Sequence, residues 1–143
     1  MALIAWNERF ATGISMVDDQ HRTLFTTVNE FHAGLVAGQA RQQISKTLDF
    51  LVDYTIRHFK TEEEFMEKCG FPGTAGHRTE HALLLQEVAA FREQWTANPG
   101  SVRPMEVARF LGDWLTHHIQ AKDLEYAFFL KERGLVKGGA LAL

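Results

Sequence analysis

Residues 44–66, ISKTLDFLVDYTIRHFKTEEEFM, decide the fold of this chain. The apolar residues in this stretch recur at intervals of three and four, which is the spacing of one face of an α-helix and not of a strand. His58 lies on the same face, and Glu62 follows it four residues later. The stretch therefore predicts a long helix with one inward stripe, formed by Ile44, Leu48, Leu51, Tyr54 or Thr55, His58, Phe65 and Met66.

Glycine and proline interrupt the chain around this helix, at Gly34 and Gly38, at residues 70–73 (GFPG) and at residues 98–100 (NPG). The segments between these breaks have the same periodicity. We expect a first helix capped by Asp18 or Asp19, a third over about residues 74–95, and a fourth over about residues 104–131. Four such helices with short connections are typical of an up-down-up-down antiparallel four-helix bundle, an all-α fold.

A chain of 143 residues is the size of one domain. We expect an irregular N-terminal arm over residues 1–18, the bundle over about residues 19–131 and a loose C-terminal tail over about residues 132–143. The sequence has no secretory signal and no run of the roughly 18 apolar residues that a membrane helix needs. Together with a single cysteine, this favours a cytoplasmic location.

The composition narrows the kinds of partner and of metal site. The net charge is −3 without any block of like charge, so neither nucleic acid nor a membrane surface is an expected partner. Seven histidines accompany one cysteine, Cys69, which excludes an intrachain disulfide and every metal cage built of cysteines. A metal in this protein has to be held by imidazole nitrogen and carboxylate oxygen.

Most of the histidines fall at one end of the predicted bundle. In an antiparallel bundle, the starts of the first and third helices lie beside the ends of the second and fourth. Residues four apart on one helix project from the same face, as two ligands of one metal must. His58 and Glu62 are four apart, as are His77 and His81. The side chains that fall at this common level are His21, His58, Glu62, His77, His81, His118 and Asp123.

Each of these residues alone has a simpler explanation. A single histidine that faces a core, such as His21, is more often hydrogen-bonded than a ligand. Glu62 lies in the run TEEE, which resembles a solvated charged face, and Asp123 follows Lys122, with which it could form a surface ion pair. The metal site is predicted from their common level in the bundle and not from any one of them.

The spacing in the fourth helix does not fit a regular α-helix. Asp123 follows His118 by five residues, about 140° around the helix, and His117 by six, about 240°, so periodicity does not choose between the two histidines. The inward stripe resumes one residue late, at Asp123, Tyr126 and Leu130. A single widened turn between His118 and Asp123 would reconcile this pattern, and we predict one there.

This set of residues resembles the ligand pattern of the hemerythrins. The pattern runs from His21 through His58-x-x-x-Glu62 and His77-x-x-x-His81 to His118-x-x-x-x-Asp123. Residues 18–24 (DDQHRTL), with Trp6 and the pair Gly13-Ile14 before them, are similar to the start of the bacterial members, the bacteriohemerythrins. The resemblance extends from Trp6 to about Leu130, and the histidines that match no ligand position are His32 and His117.

The resemblance implies two iron ions joined by a bridging oxo or hydroxo group. By the family pattern, His77, His81 and His118 hold one iron and His21 and His58 hold the other, while Glu62 and Asp123 bridge the two. If both carboxylates and one solvent-derived oxygen are shared, the iron with two histidines has one open position. An open position marks a reactive site, and dioxygen is expected there.

The implied function is reversible dioxygen binding and not catalysis, for storage, transport or delivery to oxygen-requiring enzymes, by a monomer. The alternative is a di-iron oxidase or peroxidase, or an oxygen or iron sensor, with the same centre. Reversible binding needs a dry pocket. The residues next to the ligands that are candidates for its walls, and that could equally be plain core, are Leu24, Phe59, Trp114, Leu115 and Ile119.

Overall fold

The structure, a computed structural model, describes residues 2–142, most of which are helical. The helices are α1 (Ser15–Val36), α2 (Arg41–Cys69), α3 (Thr74–Ala97), α4 (Pro104–His118) and α5 (Leu124–Glu132). A π-helical segment, Ile119–Asp123, joins α4 to α5 into one rod. Two 3-10 turns (Glu8–Phe10 and Pro99–Ser101) and two short strands, β1 (Val136–Lys137) and β2 (Ala140–Leu141), complete the chain.

Helix α2 shows how the sequence pattern becomes packing. Thr55 is buried at the position that the pattern left open, whereas Tyr54 is only half-buried. The helix ends at Gly70, whose φ of 70° is a left-handed conformation that glycine adopts without steric cost. The residues that α2 buries follow the helical repeat: Ile44, Leu48, Leu51, Val52, Thr55, His58, Phe59, Glu62 and Met66.

The helices pack as an antiparallel bundle, as the sequence predicts. Helix α1 packs against α2 and α4, and α2 packs against α3. The all-α, four-helix architecture is confirmed, and the exception to it among residues 2–142 is the small C-terminal hairpin. Full burial of a leucine or phenylalanine contributes about 1.5–3 kcal/mol, so the facing stripes stabilise the bundle. None of the helices within residues 2–142 is long and apolar enough to cross a membrane.

Helix α1 begins at Ser15, earlier than the predicted start at Asp18 or Asp19. Neither aspartate caps the helix. The Asp18 carboxylate instead accepts hydrogen bonds from the loop before it, from Thr12 N (2.8 Å), Thr12 Oγ1 (2.7 Å) and Gly13 N (3.2 Å). An aspartate in the first helical turn also interacts favourably with the helix dipole. The irregular arm therefore stops at Ile14, and Asp18 fastens it to α1.

The expectation of a loose C-terminal tail is wrong. Val136 pairs with Leu141 and Lys137 with Ala140 in an antiparallel hairpin. Its turn consists of Gly138 and Gly139, at φ 58° and 82°, which are the two positive angles that a tight hairpin turn requires. The carbonyl of Gly139 accepts a hydrogen bond from Ser15 N at 2.8 Å, so the hairpin is fastened to the start of α1.

Candidate metal centre

The structure brings all of the predicted ligand residues together at one end of the bundle. Their side chains are at most 3% exposed, which is rare for ionisable groups unless they are paired or bind a metal. The two remaining histidines lie elsewhere, His32 half-buried on α1 and His117 exposed on α4. Helix α1 supplies His21, α2 supplies His58 and Glu62, α3 supplies His77 and His81, α4 supplies His118, and the π segment supplies Asp123.

The ligand atoms form two adjacent groups that share one carboxylate. The three-histidine group consists of His77, His81, His118 and Asp123, and the two-histidine group consists of His21, His58, Glu62 and Asp123. Within each group the ligand atoms lie within 4.8 Å of one another. The distances therefore reproduce the uneven division of the histidines that the family pattern implies.

Asp123 stands between the two groups. Its Oδ1 lies 2.9 Å from His77 Nε2 and 3.2 Å from His118 Nε2, and its Oδ2 lies 3.0 Å from His21 Nε2. The predicted widened turn is confirmed, because residues Ile119–Asp123 are π-helical. The extra residue of this turn buries Asp123 and leaves Lys122 exposed. A regular α-helix would place Asp123 about 140° away from His118.

Glu62 contacts imidazoles of both groups. Its Oε1 lies 2.8 Å from His58 Nε2 and 3.9 Å from His81 Nε2, while its Oε2 lies 3.8 Å from His21 Nε2. Tyr126, which is fully buried on α5, donates a hydrogen bond to Glu62 Oε2 at 2.9 Å. Burial and the nearby carboxylates raise the pKa of Tyr126, so its hydroxyl remains a donor.

Several polar atoms at the centre have no hydrogen-bond partner. The Nε2 and carboxylate oxygen atoms among them approach one another at ion-pair distances without hydrogen-bond geometry, whereas the Nδ1 atoms of His21 and His118 are the outer nitrogens of their rings. An unsatisfied buried polar atom costs about 1–3 kcal/mol, so a cluster of them is unusual in a plain core. The donor atoms fit a bound cation better than they fit each other. The unpartnered atoms are His21 Nδ1 and Nε2, Glu62 Oε1, His77 Nε2, His118 Nδ1, and Asp123 Oδ1 and Oδ2.

Burial and the two carboxylates move the pKa values of the imidazoles in different directions. Burial lowers the pKa of His21, but the carboxylates of Asp123 and Glu62 outweigh it and raise the pKa to about 10. Burial likewise opposes the charging of His118, whose pKa is nevertheless raised by Asp123. Burial and the neighbouring imidazoles lower the pKa of His81 to about 3. A metal ion that binds here has to displace protons.

Side chains outside the centre orient two of the imidazoles. His58 Nδ1 donates to Gln20 Oε1 at 2.7 Å, and His81 Nδ1 donates to Glu63 Oε2 at 2.8 Å. With the proton on Nδ1, the Nε2 lone pair faces the centre, as metal ligation requires. Sequence reasoning missed Gln20 and Glu63, although each directly precedes or follows a predicted ligand. The rule that a ligating imidazole needs a second partner would have pointed to them.

An apolar cavity of about 30 Å³ lies in the bundle beside the centre. Leu24, Phe59, Trp114 and Leu115 line it, as predicted, whereas Ile119 is buried but does not line it. Its volume corresponds to about two water molecules, which is enough for one diatomic molecule. The remaining walls, which sequence reasoning did not identify, are Val28, Leu51, Thr55, Leu84, Val88 and Leu111.

Two walls of the cavity pack directly against the centre. The ring of Phe59 stacks on His81, with ring centroids 3.6 Å apart and an interplanar angle of 1°, and lies 6.0 Å from the His58 ring. Trp114 stacks on His118 at 4.4 Å. The hydroxyl of Thr55, the one polar wall, is bonded to the carbonyl of Leu51 at 2.7 Å. The cavity therefore offers a water molecule almost no partner.

Comparisons with known proteins agree with this geometry. The profile of the family described as Hemerythrin HHE cation binding domain matches residues 12–128. Bacteriohemerythrin of Methylococcus capsulatus is 39% identical over 127 residues, which cover 88% of this chain and 95% of that protein. Bacteriohemerythrin of Stenotrophomonas maltophilia is 35% identical, with 89% and 81% covered. The crystal structure of wild-type hemerythrin matches with a TM-score of 0.82 at 38% identity, over 88% of this chain and 96% of that one.

Proposed function

Because the chain belongs to the hemerythrin family, we propose that it binds dioxygen reversibly at a non-haem di-iron centre. The observation that carries the proposal is the cluster of buried, unpartnered nitrogen and oxygen atoms, divided three histidines to two, beside a dry cavity. We assign storage, transport or delivery of oxygen to an oxygen-requiring enzyme as the role, performed without catalysis by a cytoplasmic monomer.

The assignment of ligands follows the two groups. The imidazoles of the three-histidine group would hold one iron and those of the two-histidine group the other. Asp123, which belongs to both groups, would be shared, as would Glu62, which also lies 3.9 Å from His81 Nε2. When bound, a di-iron centre with bridging oxygen supplies two redox-active metals and an open coordination position for oxygen. Both groups consist of nitrogen and carboxylate donors, which suit iron. The supply of metals in the cell then determines that iron is bound in preference to another metal.

The surrounding side chains hold the centre in shape. Gln20 and Glu63 fix the imidazoles of His58 and His81 through Nδ1, so their Nε2 atoms point inward. The Tyr126 hydroxyl keeps its proton and engages one oxygen of Glu62, which leaves the other oxygen facing His58. A centre preorganised in this way needs little rearrangement when a metal binds.

The apolar cavity excludes water from the reacting end of the bundle. Leu24, Phe59 and Leu115 are at most 6% exposed, and the cavity they line offers almost no hydrogen-bond partner to water. Protons and polar reductants are kept out by the same walls, which favours release of oxygen unchanged over its reduction.

Anaerobic loading with ferrous iron followed by cycles of oxygen exposure and removal tests the proposal. We expect about two iron ions per chain, and a visible absorption band that appears with oxygen and disappears when oxygen is removed. Irreversible oxidation in the first cycle, or consumption of an added reductant, would instead indicate an oxidase or peroxidase.

A pair of variants tests the pocket separately. Leu115→Ser places a hydroxyl in a wall that is 6% exposed, so we expect faster irreversible oxidation of the oxygen-loaded protein. The control is Leu83→Ser, the same substitution at a side chain that is 57% exposed. This variant should oxidise at the rate of the unmodified protein. Equal oxidation rates for the two variants would contradict the role of the cavity.

A further inference from the structure

The imidazoles of the two groups differ in what their outer nitrogens contact. In the three-histidine group, His81 Nδ1 donates to Glu63 Oε2 at 2.8 Å, and Glu63 Oε1 lies 3.4 Å from Arg78 Nε. His118 Nδ1 lies 3.5 Å from Glu80 Oε1, and Glu80 Oε2 lies 3.4 Å from Lys122 Nζ. The His81 ring is therefore hydrogen-bonded to a carboxylate that contacts a half-exposed cation, whereas the His118 ring lies at ion-pair distance from such a carboxylate without a hydrogen bond.

The two-histidine group has no such carboxylate among the residues that the structure describes. His58 Nδ1 donates to the neutral amide oxygen of Gln20 at 2.7 Å. His21 Nδ1 is buried and has no hydrogen-bond partner there. The three-histidine group thus has one carboxylate hydrogen-bonded to an outer nitrogen and a second carboxylate 3.5 Å from another, whereas the two-histidine group has a single neutral acceptor.

This difference has a direct effect on a bound metal. A carboxylate that accepts the Nδ1 proton makes the imidazole a more basic ligand and opposes the positive charge of the metal. A neutral amide orients the ring equally well but adds no charge. Removal of such an outer partner lowers metal affinity by about 10- to 100-fold in characterised sites.

We propose that Glu63 is a positioning residue that acts through His81 and, together with the negative charge of Glu80 near His118, makes the three-histidine group the tighter metal position and the one that favours the more highly charged ion. The two metals are then inequivalent before any substrate arrives. The inference rests on the proposed function only in that both groups hold a metal. Oxygen binding itself is not needed for it to hold.

Titration of the metal-free protein with Co²⁺ at about pH 8, where carboxyl groups are ionised, measures the two affinities separately. We expect two steps, and His58→Ala, which removes a donor of the two-histidine group, should abolish the weaker one. Glu63→Gln keeps an oxygen acceptor but removes the charge, so it should lower the tighter affinity about 10-fold or more and leave the weaker one unchanged. Glu64→Gln, an exposed neighbour without an imidazole contact, is the control and should change neither affinity.

The converse substitution guards against a simple loss of folding. Gln20→Glu places a carboxylate against His58, so we expect the weaker affinity to increase and the two steps to converge. In the iron-loaded protein, Glu63→Gln should raise the potential of the iron that oxidises first. A tenfold loss of preference for the ferric ion corresponds to about 59 mV for a one-electron couple.

Three results would overturn the inference. The first is a single titration step in the unmodified protein, and the second is an effect of Glu63→Gln confined to the weaker step. The third is an unchanged affinity of the tighter step in Glu63→Gln together with a lowered affinity of that step in Glu63→Leu. The last result would show that Glu63 only orients the ring. If oxygen binding proves irreversible while the two steps respond as expected, the proposed function fails and this inference stands.

Discussion

Asp123 belongs to both groups of ligand atoms, so its replacement should affect both metals at once. Asp123→Asn keeps the size of the side chain and one oxygen but removes the charge. In the structure this carboxylate approaches His77, His118 and His21 at 2.9, 3.2 and 3.0 Å. An amide cannot serve as an anionic bridge between metals held by these histidines.

The size of the effect follows from the number of donors. Each group has four donor residues. A four-ligand structural zinc site binds with about 10–16 kcal/mol, so one donor contributes about 3 kcal/mol, which corresponds to about 100-fold in affinity. We expect Asp123→Asn to weaken both positions by about this factor, whereas His58→Ala weakens only the two-histidine group.

Metal analysis after anaerobic loading and gel filtration provides the measurement. At limiting free iron we expect about two ions per chain in the unmodified protein, about one in His58→Ala, and fewer than one in Asp123→Asn. Asp113→Asn, at an exposed position on α4, should retain both. The thermal unfolding midpoint should fall in the same order, because a ligand stabilises the state that binds it. Retention of one ion at unmodified affinity by Asp123→Asn would refute the shared role.

His118→Ala should lose iron whereas His117→Ala should not, because His118 is buried at the centre and His117 is exposed; equal losses in elemental analysis would contradict this choice of ligand. Because the pKa of His21 is raised to about 10, we expect this imidazole to be protonated in the metal-free protein at about pH 8, so metal binding should release about one more proton there than above about pH 10. Calorimetry in buffers of different ionisation enthalpy measures this release, and a constant heat across buffers would oppose it. Gly139→Ala should destabilise the metal-free protein by more than the roughly 1–2 kcal/mol expected for Gly38→Ala. Both glycines have positive φ, but an added Cβ meets Ser15 Oγ at 2.6 Å only at Gly139. Equal urea midpoints for the two variants would show that this contact does not lower the free energy of unfolding.

The bundle and the level of the donors could be predicted because both follow from local rules. Helical periodicity assigns the faces, and short connections force neighbouring helices to be antiparallel. The π turn could be predicted for the opposite reason, since His118 and Asp123 violate the α-helical repeat while the stripe resumes at Tyr126. The break in the helical repeat itself indicated where the extra residue lies.

Other features depend on contacts that the linear pattern does not contain. Asp18 has the composition of a helix cap, but its carboxylate is occupied by Thr12 and Gly13, and the helix starts earlier. Glu80 lies in a charged stretch of the sequence, and its contact with His118 depends on how α3 is oriented about its axis in the bundle. The far walls of the cavity, such as Val88, lie up to seven residues from a ligand, about two helical turns, and so beyond its immediate sequence neighbours.

The hydrogen bond from Ser15 to Gly139 closes the chain into a loop that contains every predicted ligand, from His21 to Asp123. The hairpin thereby connects the start of α1 to the segment that follows α5. Tension applied beyond Gly139 is carried first by the hydrogen bonds of the hairpin. Tension applied before Ser15 is carried first by the N-terminal arm, in which Ile4 is hydrogen-bonded to Asn29 and Thr12 to Asp18.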